Sequence, residues 1–160
     1  MRQRPMVALR VSALLTALSI PAVPVAAETY FHAIVDGAHG RPPNPSPVLG
    51  IGSFVLNDDQ TLLEYDIQFS PWIRDEIASH IHMEETPGAG GDAIVDLPFG
   101  PSKVGTASMD LGIWVEALFE GRLYVIVHST VVQNGEVGGY IVAGVPTRNA
   151  TWGRIKGLYR

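Results

Sequence analysis

His80 and His82 stand two residues apart in the apolar stretch Ile77–Met83, and His128 closes the run Leu123–His128. Alternate side chains of an extended strand share a face, so the two imidazoles of this His-x-His project together, about 7 Å apart along the chain. In the second run Tyr124, Ile126 and His128 share one face, while Leu123, Val125 and Val127 form a purely aliphatic face suited to a core. If the two segments pair, three rings lie on one surface and can close on a single ion. Glu64, Asp66, Glu84 and Glu136 are the candidate further ligands or outer partners of those rings. A donor set rich in imidazole and without thiol suits zinc, copper or nickel better than calcium, and copper and zinc are the expected cofactors. The same histidines equally suit hydrogen bonding to nearby carboxylates and turn backbone, and both readings stay open.

Other chemistry finds little footing. Glu84-Glu85 beside the glycine-rich stretch could take calcium, or form an ordinary solvated loop. His32 and His39 read as surface or loop residues. There is no Gly-x-Ser-x-Gly elbow, no phosphate-cradling glycine motif and no dinucleotide fingerprint. The chain has no cysteine, so thiol nucleophiles, thiolate metal sites and disulfides are excluded. Ser129 next to His128 would point to the opposite face of a strand and could not be activated by it. No catalytic residue is assigned.

The elements that must position the histidines begin after a leader. Arg2, Arg4 and Arg10, the apolar run Val11–Val25 and the small residues Val25-Ala26-Ala27 have the layout of a secretory signal peptide over residues 1–27. A membrane anchor is the rival reading, but Pro21 and Pro24 interrupt a run already short of the roughly 20 apolar residues a span needs. The expected mature chain starts at Glu28, is secreted or periplasmic, and has no stable membrane insertion. Of 11 Lys+Arg and 16 Asp+Glu, the leader removes three arginines and no acid, leaving a formal charge of −8. Such a chain repels nucleic acid and anionic lipid. The exception is the basic end, where Arg148, Arg154, Lys156 and Arg160 occur without an acid; residues 146–160 read as a terminal strand or tail beside a domain at 28–145.

Within that domain, strands are expected at Thr29–Val35, Gly50–Leu56, Ile77–Met83, Ala93–Leu97, Leu123–His128 and Gly138–Val145. The clearest alternation sets Leu63, Tyr65, Ile67 and Phe69 against Glu64, Asp66 and Gln68. Asn57-Asp58-Asp59 reads as a tight turn and Asn134-Gly135 as a hairpin signal. Between Asp110 and Glu120 the period changes: Leu111, Trp114, Val115, Leu118 and Phe119 form a helical stripe closed by Gly121. The expected fold is all-β, an antiparallel β-sandwich or flattened barrel of seven or eight strands with one short helix near 110–120.

Taken in order, several of these pieces resemble the CHRD domain, the module named for its repeats in chordin and found also in bacterial exported proteins. They are Phe31-His-Ala-Ile-Val-Asp-Gly, Arg41-Pro-Pro, Gly50-Ile-Gly-Ser-Phe, Leu62-Leu-Glu-Tyr-Asp-Ile, His80-Ile-His, Thr86-Pro-Gly-Ala-Gly-Gly, Leu123-Tyr-Val-Ile-Val-His-Ser and Asn134-Gly-Glu-Val-Gly-Gly-Tyr-Ile. The resemblance covers about Thr29 to Val142. The chain departs from the family pattern at Gly40-Arg41, at Met83, and at Gly138 and Tyr140. It implies an extracellular all-β module of immunoglobulin-like or superoxide-dismutase-like shape with no settled enzymatic activity. The growth-factor binding of chordin does not carry over to a lone domain. The His-x-His is also similar to the copper-binding strand of copper-zinc superoxide dismutase, but five histidines and no cysteine argue against dismutase chemistry. The functional expectation is an exported, non-enzymatic binding or structural module holding a transition metal, with an unidentified extracytoplasmic protein or ligand as partner. The alternatives are a small extracytoplasmic metalloenzyme using the same histidines, and an adhesion or assembly subunit.

Overall fold

In the computed structural model, which describes residues 28–109 and 112–144, nine strands follow one another as β1 (Thr29–Asp36), β2 (Leu49–Leu56), β3 (Leu62–Ser70), β4 (Glu76–Glu84), β5 (Gly91–Asp96), β6 (Ser102–Ser108), β7 (Leu123–Ser129), β8 (Val137–Tyr140) and β9 (Val142–Ala143). A helix α1 (Ile113–Phe119) precedes β7, and a single 3-10 turn, Gly37–His39, follows β1. The expected leader at 1–27 and basic segment at 146–160 lie outside the described residues. The sheet runs β5-β4-β7-β8-β1-β2-β3-β6, with β9 alongside β1, and every pairing is antiparallel. Strands β8 and β1 meet at one residue pair only, Asp36 with Gly138. The all-β expectation therefore holds as a nearly closed, flattened barrel of two four-strand halves, β5-β4-β7-β8 and β1-β2-β3-β6.

Alternation explains most of the core. Leu63, Tyr65, Ile67 and Phe69 of β3 are buried while Glu64, Asp66 and Gln68 face water. Phe31, Ala33 and Val35 of β1 and Phe54 and Leu56 of β2 join them, with Ile81 and the aliphatic face of β7 opposite. Fully burying one such side chain stabilises the fold by roughly 1.5–3 kcal/mol. Strand β7 is buried on both faces, because Tyr124 and Ile126 are covered as completely as Leu123, Val125 and Val127.

Three expectations need correction. Strand β6 was not expected, since Ser-Lys-Val-Gly-Thr-Ala-Ser offers no apolar alternation. The expected helix is present as Ile113–Phe119, with Val115 and Leu118 of the expected stripe buried and Trp114 packed against the core; the difference is that Ala117 is buried too, whereas Phe119 is exposed on one side and meets Phe31 edge-on at 5.5 Å. The segment Gly138–Val145 is two strands, because the chain leaves β7 after Tyr140 and crosses to β1; Val145 lies outside the described residues.

The inward residue of β6 is Lys103, which is 0% exposed. Its Nζ donates to Glu76 Oε1 at 2.7 Å and to the Pro98 carbonyl at 2.8 Å, and lies 4.9 Å from the Trp72 ring centre. Glu76 also accepts from Gly100 N at 2.9 Å and from the Ser79 hydroxyl. Burial pushes the ammonium below the usual lysine range and the Glu76 carboxylate opposes that shift. Because β6 ends the sheet on one side and β4 is second from the other end, this ion pair ties the two ends together.

Candidate metal centre

Strands β4 and β7 pair as neighbours, with His80 opposite Ile126, His82 opposite Tyr124 and Ala78 opposite His128. Sequence periodicity places all three histidines on one face, and the structure does bring them together there. The small Ala78 leaves room for the His128 ring to lean towards His80. Ile126, opposite His80, is 1% exposed, and Tyr124 stacks on His82 with centroids 5.2 Å apart and planes 19° from parallel. The three imidazole centroids lie 5.1, 5.4 and 5.8 Å from one another. One nitrogen from each ring falls within 4.8 Å of the other two.

Two of the outer nitrogens are hydrogen-bonded to backbone carbonyls and the third lies near an exposed carboxylate. His82 Nδ1 is 3.0 Å from the Gly91 carbonyl, His128 Nδ1 is 2.8 Å from the Gln133 carbonyl, and His80 Nε2 is 3.5 Å from Asp96 Oδ1. The inner nitrogens have each other: His80 Nδ1 faces His128 Nε2 at 3.2 Å, and the buried His82 Nε2 has no partner. Three neutral imidazoles carry three protons on six nitrogens. The Gly91 and Gln133 carbonyls claim those of His82 and His128, which turns two Nε2 lone pairs inward; the third proton sits on His80, either at Nδ1, bonded to His128, or at Nε2, towards Asp96. A side chain at Gly91 would run into the Met83 carbonyl, so only glycine lets β5 approach closely enough to hold His82.

A fourth proton would relieve the lone-pair crowding, but the surroundings resist it. Burial, then the neighbouring His128, holds His80 below the ordinary imidazole range, with Asp96 opposing. Burial likewise holds His82 low; the Gly91 carbonyl opposes, and the other two rings and Arg41 reinforce it. The unfolded chain therefore takes up protons on His80 and His82 before the folded one does. Metal-free protein is expected to keep its stability above about pH 6.5 and to lose it as the pH falls from there into the depressed folded-state range. Urea midpoints measured in chelator between about pH 7 and pH 5 should fall steeply for the natural protein and less steeply for a His80→Ala/His82→Ala variant.

None of the four expected carboxylates joins the rings. Glu64 and Asp66 stand on the outer face of β3, in the other half of the sheet, beside Ser53, Thr106 and Val104. Glu84 does share the face of His80 and His82, but it is 1% exposed and fully engaged. It accepts from Arg41 at 2.7 Å, Tyr140 at 2.8 Å and Gly88 N at 2.7 Å. Those donors outweigh burial and hold its carboxyl below the usual range. This also leaves it no oxygen to spare for the calcium reading. Glu136 accepts from the Ser46 hydroxyl at 2.7 Å. The carboxylate that reaches the cluster is Asp96, which alternation alone did not single out. His39 pairs with Asp36 at 2.7 Å, away from the three rings, and His32 is exposed on β1.

Among known families, the model of the CHRD domain matches residues 31–141. No curated protein and no solved structure matches the chain.

Proposed function

The chain belongs to the CHRD-domain family, and from that premise we propose that it is an exported binding or structural module holding one divalent transition metal ion, copper or zinc, at His80, His82 and His128. The observation that carries the reading is the arrangement of the rings: two have their outer nitrogen on a backbone carbonyl, and one nitrogen from each of the three converges inside, that of His82 buried without a partner. Metal-ligating histidines characteristically give their second ring N–H to a carbonyl or carboxylate. Zinc–nitrogen bonds of about 2.0–2.1 Å in tetrahedral geometry need nitrogens about 3.3 Å apart, which His80 and His128 approach at 3.2 Å. Copper is compatible with the same imidazole set.

Export is supported by the leader-like residues 1–27 and by the extracellular setting typical of CHRD domains. No helix of the described residues is long and apolar enough to cross a membrane. The partner on this reading is an extracytoplasmic protein or ligand of neutral or cationic surface, given the acidic mature chain. Metal analysis of protein purified without a histidine tag tests the proposal. About one equivalent of copper or zinc, or its uptake on add-back, is expected; no metal and no uptake would remove the metal from it.

One observation favours a second reading, a small metalloenzyme. Three imidazoles leave a fourth tetrahedral position for water, and the rings are only half-buried, His80 being 23% exposed. That reading requires metal-dependent turnover that vanishes in a folded His128→Ala variant; turnover surviving in the variant rules it out.

A further inference from the structure

We propose that Asp96 is a positioning residue: its carboxylate holds His80 in the Nε2–H tautomer and so commits that ring to coordinate through Nδ1, whereas His82 and His128 coordinate through Nε2. The coordination half rests on the metal reading above. The tautomer half is a property of the metal-free protein.

The argument starts from an irregularity in the sheet. Strands β4 and β5 pair Glu84 with Gly91, Met83 with Asp92 and His82 with Ala93, but then Ile81 with Val95 and His80 with Asp96. Ile94 is thus an extra residue, a bulge on β5. Continued in its first register, the ladder would set Val95 opposite His80, and the imidazole would face an isopropyl group. The bulge shifts the pairing by one and puts a carboxylate there instead. Register slips of this kind exchange which residues share a face, and bulges are enriched where a side chain must be re-aimed beside a functional site.

Asp96 Oδ1 is 3.5 Å from His80 Nε2, and the carboxylate, 95% exposed, is free to swing the remaining fraction of an ångström into a hydrogen bond. A carboxylate accepts only and carries a full charge, so its pull favours the tautomer with the proton on Nε2 over the one that donates Nδ1–H to His128. His80 Nδ1 is then the lone pair that faces His128 Nε2 at 3.2 Å. The other two rings are fixed the opposite way, each with Nδ1 on a backbone carbonyl. Nδ1 is bonded to the ring carbon that joins the side chain, while Nε2 lies at the far end. Coordination through His80 Nδ1 would hold the ion nearer the sheet than Nε2 would, with the longer-reaching Nε2 atoms of His82 and His128 as its other two ligands.

Long-range proton–nitrogen correlation spectra of the full chain, recorded without metal, test the first half. His80 is expected as the Nε2–H tautomer in the natural protein and in Asp96→Asn, whose amide oxygen still accepts. In Asp96→Ala it is expected to move towards Nδ1–H, donating to His128. A natural protein already in the Nδ1–H form, or an unchanged spectrum in Asp96→Ala, overturns the proposal. Titration with zinc tests the second half: Asp96→Ala should bind about tenfold more weakly, with Asp96→Asn recovering most of the loss. Unchanged affinity in Asp96→Ala overturns the coordination mode. If the tautomers behave as expected and zinc does not bind even the natural protein, the positioning role stands and the metal reading falls.

Discussion

Replacing His82 by alanine is expected to weaken zinc or copper binding by about two orders of magnitude while leaving the fold intact. Metal binding to four-ligand protein sites is worth about 10–16 kcal/mol, or roughly 3 kcal/mol per ligand, and 1.4 kcal/mol is a factor of ten. The loss should appear in stability as well. An ion present at about a thousand times its dissociation constant stabilises a folded protein by about 4 kcal/mol, which for a domain of this size raises the unfolding midpoint by on the order of 10 °C. The alanine variant should keep little of that increment. Its metal-free stability should change much less, because opposing effects meet at this position. The stacking on Tyr124 and the bond to the Gly91 carbonyl are lost, but so is a buried Nε2 without a partner, whose desolvation costs about 1–3 kcal/mol. His39→Ala is the control, since that ring lies with Asp36 and not with the cluster. Calorimetric titration of the two variants side by side decides the matter. Equal affinity in His82→Ala and His39→Ala would mean that the three rings hold no ion together.

The second large effect lies on the far side of the core. Lys103→Met should destabilise the protein by about 3–5 kcal/mol, because breaking a buried ion pair strands the remaining charge. Glu76 would keep Gly100 N and the Ser79 hydroxyl as donors but lose its only cationic partner among the described residues. A Lys103→Met/Glu76→Gln variant should recover part of the loss, since a neutral amide tolerates burial better than a stranded carboxylate. Urea unfolding of both single variants and the double gives the coupling directly. A single-variant loss below about 1 kcal/mol would show that the sheet ends are held by the surrounding packing instead.

Lys103 also explains where sequence reading failed. Strand β3 was legible because its inward residues are large and apolar and its outward ones charged. Strand β6 points Lys103, Gly105 and Ala107 inward, so the face that enters the core contains a charge, a missing side chain and a methyl group. Its identity as a strand depends on Glu76, Trp72 and Tyr65, none of which is near it in sequence. The histidines were legible for the same reason as β3, since spacing by two assigns a face whatever the partner strand. The carboxylates were not. Spacing put Glu84 on the correct face, but nothing local revealed that Arg41, 43 residues earlier, would occupy it. Spacing within β5 could not promote Asp96 over Val95, because a bulge sets that choice and a bulge depends on both strands. The helix was legible through Val115 and Leu118, but the stripe gave Phe119 more burial than it has and missed the small residue Ala117, which is fully buried.

Among the described strands β5 pairs with one neighbour only, β4, and it supplies both the carbonyl that fixes His82 and the carboxylate beside His80. Fraying of a rim strand takes far less free energy than global unfolding. When β5 peels away, two of the three rings lose their anchors at once, and only His128, tied to Gln133, stays in place. Loading and escape of an ion would then follow the breathing of this rim, so the residence time could be tuned from the margin of the sheet without disturbing the core.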